Sequence, residues 1–108
     1  MKATLLSLFA AAGLIATGAA QADEALAKSK NCLACHTVDK RLVGPAYKDI
    51  AKRYAGQKGI EATLAEKIIK GGKDAWTKEL GAAIPMPPNP TVKPEDAHKL
   101  AKWILSLK

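Results

Sequence analysis

The segment "CLACH", residues 32–36, contains both cysteines of the 108-residue chain and one of its two histidines. Two cysteines at this spacing, Cys32 and Cys35, can form a redox dithiol, half of a zinc site or a short disulfide. The histidine that follows directly, His36, narrows the choice. The chain has no other cysteine, so it has no disulfide framework. The role of this segment is therefore the first question that the sequence raises.

Residues 1–22 have the pattern of a secretory signal peptide. Lys2 gives a positive start, residues 5–20 are almost wholly apolar, and the small residues Ala20 and Ala22 precede an expected cleavage before Asp23. A retained membrane anchor is the alternative, but the apolar run is shorter than the ~20 residues of a membrane span. We therefore expect an exported domain of residues 23–108 that does not associate with the membrane after cleavage.

The expected mature domain is small and basic. A domain of residues 23–108 buries little surface and often depends on a metal, a cofactor or disulfides. The chain has 17 Lys and Arg against 10 Asp and Glu, so the net charge is +6 once Lys2 is removed with the signal peptide. A basic surface steers association with acidic partners. The low aromatic content and the predicted export argue against nucleic acid as that partner.

Apolar residues recur at helical spacing through most of the domain, as in Ile60, Leu64 and Ile68. No long stretch alternates with period two, so the sequence predicts an all-α fold with four short helices. Proline at a first helical turn, followed by acidic residues, indicates where the last helix begins. The predicted helices are residues 23–30, Ala46–Tyr54, Ile60–Lys70 and Pro94–Leu107.

The segment of residues 74–94, "DAWTKELGAAIPMPPNPTVKP", contains five prolines. This proline content predicts that the segment is not helical. A loop of this length in a compact domain usually has a binding role. Because helices this short enclose only a thin core, a large buried cofactor accounts for both features.

The pattern C-x-x-C-H is the attachment signature of c-type haem. In that chemistry the thiols of Cys32 and Cys35 add to two vinyl groups of the porphyrin, and His36 becomes the proximal iron ligand. A zinc site would need these three residues and His98, with two adjacent ligands in awkward tetrahedral geometry. A thioredoxin-like dithiol expects a βαβ pattern, which the sequence lacks, and a plain C-x-x-C disulfide is the remaining alternative. We expect one covalent haem.

Met86 is the candidate for the second axial ligand, because it is the only methionine left after residues 1–22 are removed. Methionines that fill cores usually lie on helical stripes, whereas "IPMPPNP" fixes the backbone around Met86. His98, on the polar side of the last helix, is the other candidate. A His36/Met86 pair raises the reduction potential and closes the iron to substrates, which predicts an electron carrier and not an enzyme. A haem enzyme or gas sensor would need an open or displaced Met86, and no acid–base residue is evident near "IPMPPNP".

Four segments, "CLACH", "VGPAYKDIAKRYAG", "IPMPPNP" and "LAKWILSLK", resemble in order the small bacterial class I cytochromes c of the cytochrome c-551/c-552 type. The resemblance covers the whole expected mature chain. It implies a monomeric, mostly helical class I cytochrome c fold around one covalent haem, with the first and last helices packed across each other. It also implies periplasmic electron transfer to a reductase, peroxidase or terminal oxidase.

The resemblance assigns roles to four further residues. It implies that the backbone of Pro45 accepts the second ring N–H of His36, a contact that fixes the tautomer of a ligating histidine. It implies that Asn89 hydrogen-bonds the ligand sulfur or its surroundings. It also implies that Trp76 donates a hydrogen bond to a haem propionate and that Lys67 is a basic residue beside that propionate. The seven-residue segment "TKELGAA" after Trp76 is longer than the corresponding segment of the family pattern. We expect it to bulge at the propionate edge.

The expected partners are redox proteins with acidic docking surfaces. Lysines near the haem edge are the candidates for the complementary patch, and an apolar rim from "LVGPA" is the rival interpretation, since weak redox complexes have small interfaces. The candidate lysines are Lys28, Lys30, Lys40 and Lys48.

Overall fold

The computed structural model describes residues 23–73, 75–79 and 85–108. The predicted signal peptide, residues 1–22, lies outside these ranges. Helix α1 includes residues 23–29, and a single turn of 3₁₀ helix at Cys32–Ala34 follows it. The remaining helices are α2 at Tyr47–Arg53, α3 at Ile60–Lys70, α4 at Ala75–Glu79 and α5 at Pro94–Ser106.

Within the described ranges the only β pairing is an isolated bridge between Gly72 and Met86. The all-α prediction is therefore confirmed, and each of the four predicted helices is present with ends that agree to within one residue. None of the helices in the described part of the chain is long and apolar enough to cross a bilayer.

Glycines delimit α3 at both ends. Gly59 precedes its first residue with φ 75°, and Gly71 follows its last with φ 65°. Both angles lie in the left-handed region that favours glycine. The N–H of Gly71 donates to the carbonyl of Lys67 at 2.7 Å, which closes the final turn. The observed bounds of α3 are the predicted ones.

Helix α5 is the centre of the packing. Pro94 occupies its first turn, and the carboxylates of Glu95 and Asp96 lie at its positive amino end. Among the described helices, α5 packs against both α3 and α2. Ala27 of α1 is fully buried in the same core cluster, so the amino-terminal helix joins this arrangement.

The core of the described residues is thin. Half of its buried apolar residues are alanines, and Leu100 is its one large side chain with less than 2 % exposure. Alanine buries little apolar area, so these side chains alone stabilise the fold weakly. The buried alanines are Ala27, Ala46, Ala51, Ala65, Ala97 and Ala101.

The expectation that residues 74–94 contain no helix is wrong at Ala75–Glu79, which forms α4. The five prolines all lie between Pro85 and Pro94, so they cannot remove a hydrogen bond from the preceding "AWTKE". The prediction extended a local effect of proline over residues that have none.

Candidate functional site

A mostly apolar cavity of about 370 Å³ lies between α2, α3, α5 and the proline-rich segment. Its volume is in the ~300–1,000 Å³ range typical of ligand sites. All eight side chains predicted to form the site line this one cavity. They are Cys32, Cys35, His36, Pro45, Lys67, Trp76, Met86 and Asn89.

The "CLACH" segment reaches the cavity through a tight turn. Asn31 has φ 62°, a left-handed conformation that asparagine tolerates better than most residues, and the 3₁₀ turn begins directly after it. The N–H groups of Cys35 and His36 both donate to the carbonyl of Cys32, at 3.2 and 3.0 Å. The turn thereby brings both thiols and the imidazole to the same wall. Both cysteines are half-buried.

Burial is the main influence on the Cys32 side chain. Burial raises its pKa, and a hydrogen bond with Tyr47 only partly offsets this. Burial likewise raises the pKa of the Tyr47 hydroxyl well above its ordinary value. Cys32 and Tyr47 therefore lie together in the apolar wall of the cavity.

The imidazole of His36 has a fixed tautomer. Its Nδ1 lies 2.8 Å from the carbonyl oxygen of Pro45. A carbonyl can only accept, so Nδ1 donates its proton and the ring lone pair is on Nε2. The expected hydrogen bond to Pro45 is thus present, and it leaves the imidazole in the form that ligates a metal.

Gly44 and Tyr47 both lie against the imidazole, and neither of them was predicted as a site residue. A Cβ on Gly44 would lie 2.5 Å from Cε1 of His36, so only glycine allows the ring to approach. Tyr47 stacks on the same ring, with 5.0 Å between centroids and 17° between planes. The sequence marked Gly44 only as a break and Tyr47 only as part of a helical stripe.

Met86 is held by its backbone. Its N–H and carbonyl pair with the carbonyl and N–H of Gly72, at 3.2 and 2.8 Å. The neighbouring Gly71 touches the Met86–Pro87 backbone so closely that a Cβ there would overlap the Met86 carbonyl. The methionine segment is therefore attached to the end of α3.

Asn89 makes two hydrogen bonds to the end of α3, in the surroundings of Met86. Its side-chain amide donates to the carbonyl of Ile68 at 2.9 Å, and its backbone N–H donates to the carbonyl of Ile69 at 2.9 Å. Both bonds fix the segment that follows Met86 to α3. A contact between Asn89 and the ligand sulfur stays a prediction.

Trp76 and Lys67 supply polar groups to the same cavity. The indole Nε1 of Trp76 is buried and has no hydrogen-bond partner within the described residues. A buried donor in this state costs ~1–3 kcal/mol, so it calls for an acceptor. The ammonium of Lys67 donates to the carbonyl of Gly72 at 2.6 Å. An unsatisfied donor and a cation beside an apolar cavity fit a porphyrin with ionised carboxylates.

The four residues of the zinc alternative, Cys32, Cys35, His36 and His98, do not come together in the part of the chain that the structure describes. His98 does not line the cavity, and its Nδ1 lies 3.7 Å from the Glu61 carboxylate on α3.

The candidate docking lysines differ in their surroundings. Lys28 and Lys40 are exposed, Lys30 is half-buried, and Lys48 forms an ion pair of 2.6 Å with Asp39. Two large apolar side chains are exposed in the same region, Leu42 at 51 % and Val43 at 48 %. Val43 also lines the cavity, so apolar surface continues from the cavity to the outside.

The protein-family model "Cytochrome c" matches residues 17–108. The chain is 58% identical over 88 residues to cytochrome c2 of Rhodocyclus tenuis, covering 81% of this chain and 95% of that protein. It is 50% identical over 105 residues to cytochrome c-551 of Pseudomonas aeruginosa, covering 96% and 95% of the two chains.

A solved structure of similar fold is wild-type Nitrosomonas europaea cytochrome c552, with a TM-score of 0.71 and 48% identity. That likeness covers 79% of this chain and 99% of the other. These similarities and the C-x-x-C-H segment indicate a haem in the apolar cavity. A haem there accounts for the thin core and for the unsatisfied indole donor. The chain therefore belongs to the cytochrome c family and carries one covalent c-type haem attached through Cys32 and Cys35.

Proposed function

We propose that this haem-based electron carrier works in the periplasm as a monomer, with His36 and Met86 as the axial ligands of its iron. The observation that carries the proposal is the 2.8 Å hydrogen bond from Nδ1 of His36 to the carbonyl of Pro45. It gives the histidine the tautomer and orientation of a metal ligand before any metal is bound.

The support for His36 is the rigidity of its surroundings. The carbonyl of Pro45 orients the ring through Nδ1, Gly44 permits the close approach of the backbone, and Tyr47 packs on the ring face. These three contacts leave the imidazole little rotational freedom. A ligand held in this way loses little conformational entropy when it coordinates iron.

The support for Met86 is the attachment of its backbone. A thioether is a weak ligand, so a methionine on a loose loop would dissociate readily. Here the pairing with Gly72 and the two hydrogen bonds of Asn89 to α3 hold the loop on both sides of the sulfur-bearing residue. A His/Met pair raises the reduction potential of a haem iron, and a fixed Met86 would keep other molecules off it.

The cavity lining favours electron transfer over substrate chemistry. The haem supplies a reversible one-electron Fe(III)/Fe(II) couple. The apolar side chains that line the cavity, among them Ile50, Leu64 and Ile68, exclude water from it. The lining residues of the described chain include no carboxylate and no second histidine, so they offer no general acid or base of those types.

We propose that its partners are redox proteins that contact the apolar surface of Leu42 and Val43. These two side chains are exposed beside the cavity, while the ion pair with Asp39 offsets the charge of Lys48. Lys28 and Lys40, with the excess of Lys and Arg over the whole chain, would then steer an acidic partner toward this apolar contact. The leader-like residues 1–22 support a periplasmic location.

The absorption spectrum of the purified protein from a periplasmic fraction tests the proposal. We expect haem that survives acid–acetone extraction, sharp bands in the reduced state, and the weak far-red band of methionine sulfur bound to ferric iron. A spectrum without the far-red band would overturn the assignment of Met86. Haem that is extracted by acid–acetone would overturn covalent attachment.

A further inference from the structure

One guanidinium group, that of Arg53 on α2, contacts both Glu79 and Trp76 on α4. We propose that Arg53 and Glu79 form a clasp that positions the Trp76 indole as a hydrogen-bond donor to a haem carboxylate and thereby sets part of the reduction potential. The inference rests on the proposed function for the presence of haem in the cavity. It adds two positioning residues that neither ligate iron nor line the cavity.

The geometry of the clasp is bidentate. Nη1 of Arg53 lies 2.6 Å from Oε2 of Glu79, and Nη2 lies 2.9 Å from Oε1. The same guanidinium carbon lies 4.5 Å from the centroid of the Trp76 ring. The carboxylate therefore fixes the guanidinium in two directions, and the guanidinium covers the indole face. Lysine cannot reproduce this arrangement, because its ammonium is a point charge without a planar fork.

Helix α4 needs such an anchor. Its five residues, Ala75–Glu79, are too few to form a stable helix alone. Helix α5 packs against α3 and α2, whereas α4 contacts α2 through the side chains of the clasp. The clasp links residues 26 positions apart, so it fixes the orientation of α4 relative to the domain.

The position of Trp76 makes that orientation consequential. Its Nε1 is buried and lacks a partner among the described residues, and its ring lines the haem cavity. A donor that meets an ionised carboxylate there reduces the negative potential felt at the iron. Loss of that donor favours the ferric state, so the reduction potential falls.

The long segment after Trp76 contributes one residue to the clasp. Glu79 belongs to the segment "TKELGAA", which is longer than in the family pattern. This segment supplies the carboxylate that holds the guanidinium over the indole. Both partners of the clasp are partly exposed, at 31 % for Arg53 and 53 % for Glu79, so salt weakens it.

The test uses the haem-loaded protein and the charge-conserving variant Arg53→Lys, in wild type and in a Trp76→Phe background. We expect Arg53→Lys to lower the potential in wild type and to leave it unchanged in the W76F background, because the clasp acts through the indole. Hydrogen exchange of the Trp76 indole N–H in the ferrous protein, followed by NMR, should accelerate on the order of two- to fivefold.

A second pair of variants tests the carboxylate of the clasp: Glu79→Gln and its matched control, Glu66→Gln. Both remove one exposed carboxylate from an ion pair, and the Glu66–Lys70 pair of 2.7 Å lies outside the cavity lining. Only Glu79→Gln should accelerate indole exchange. An Arg53→Lys effect on potential that is equal in both backgrounds, or unchanged indole exchange in both clasp variants, overturns the inference. Failure of the proposed function is a separate result, since it would appear as a wild-type spectrum without covalent haem or without the far-red band.

Discussion

The imidazole of His36 and the phenol ring of Tyr47 are stacked, and the edge of Tyr47 meets Trp103 at 5.6 Å between centroids and 76° between planes. Trp103 is buried in the core face of α5. A continuous aromatic contact therefore connects the proposed iron ligand with the helix on which α2 and α3 pack. Changes near His36 should consequently affect both the haem and the stability of the domain.

Gly44→Ala should disturb His36 directly. The added methyl would lie 2.5 Å from Cε1 of the imidazole, so the ring must move and its hydrogen bond to Pro45 must weaken. We expect a loss of about 1–3 kcal/mol in the free energy of unfolding, measured by guanidinium denaturation, together with an altered haem spectrum.

Gly56→Ala is the control for that substitution. Gly56 has φ 75°, and no atom lies within 4 Å of the position that a Cβ would occupy there. Alanine at this position therefore adds backbone strain of about 1–2 kcal/mol without contacting the site. It should leave the spectrum unchanged. An unaltered spectrum in the Gly44→Ala protein would contradict the steric role of Gly44.

Met86→Leu should abolish the far-red sulfur band while it preserves side-chain volume. Because leucine cannot ligate iron, the reduction potential should fall and the iron should bind added cyanide or carbon monoxide. Absorption spectroscopy and voltammetry measure these changes. Persistence of the band in this variant would mean that another residue supplies the ligand.

The double substitution Cys32→Ala and Cys35→Ala should prevent covalent attachment of haem. With a core in which half of the buried apolar residues are alanines, the haem-free chain should lose much of its helicity. Circular dichroism and haem content measure both effects, with His98→Ala, which lies outside the cavity, as the control. A colourless double variant with unchanged helicity would show that the polypeptide core suffices.

Contact through Leu42 and Val43 and steering by exposed lysines should have two separable kinetic effects. Leu42→Ala with Val43→Ala should slow electron transfer to a redox partner at all salt concentrations, because apolar contact is not screened. Lys40→Glu should slow it mainly at low salt, since exposed charges are screened over ~10 Å at 0.1 M.

Lys48→Glu provides the comparison, because Lys48 is already paired with Asp39. It should have a smaller effect than Lys40→Glu on the association rate at low salt. Equal effects of the two lysines would reject this difference between them. A rate that does not change with salt in any variant would reject electrostatic steering and leave the apolar contact alone.

The helices are predictable where local signals mark their ends. Glycine at positions 59 and 71 and proline at position 94 indicate bounds for α3 and α5 that the structure reproduces to within one residue. Helix α4 escapes prediction because its five residues carry no such signal and lie beside a proline-rich stretch that begins only at position 85. The eight predicted site residues all line one cavity. They could be predicted because the C-x-x-C-H motif and the family resemblance both describe a haem site.

The contacts that sequence reasoning missed are not related by helical or strand spacing. Arg53 and Glu79 are 26 positions apart, and no local spacing relates them. The steric role of Gly44 depends on the position of a ring eight residues earlier in the chain. Such relationships depend on how the loops and helices are placed around the cavity, so composition and periodicity carry no trace of them.

The alanine-rich core also bears on the order of events in the life of the molecule. A chain with so little apolar side-chain volume of its own gains most of its stability only when the porphyrin fills the space between the helices. We expect the enzyme that joins haem to the cysteines to meet an open, protease-sensitive polypeptide. Haem attachment should therefore decide how well the chain resists proteolysis, which limited digestion of the haem-free and haem-loaded proteins would measure.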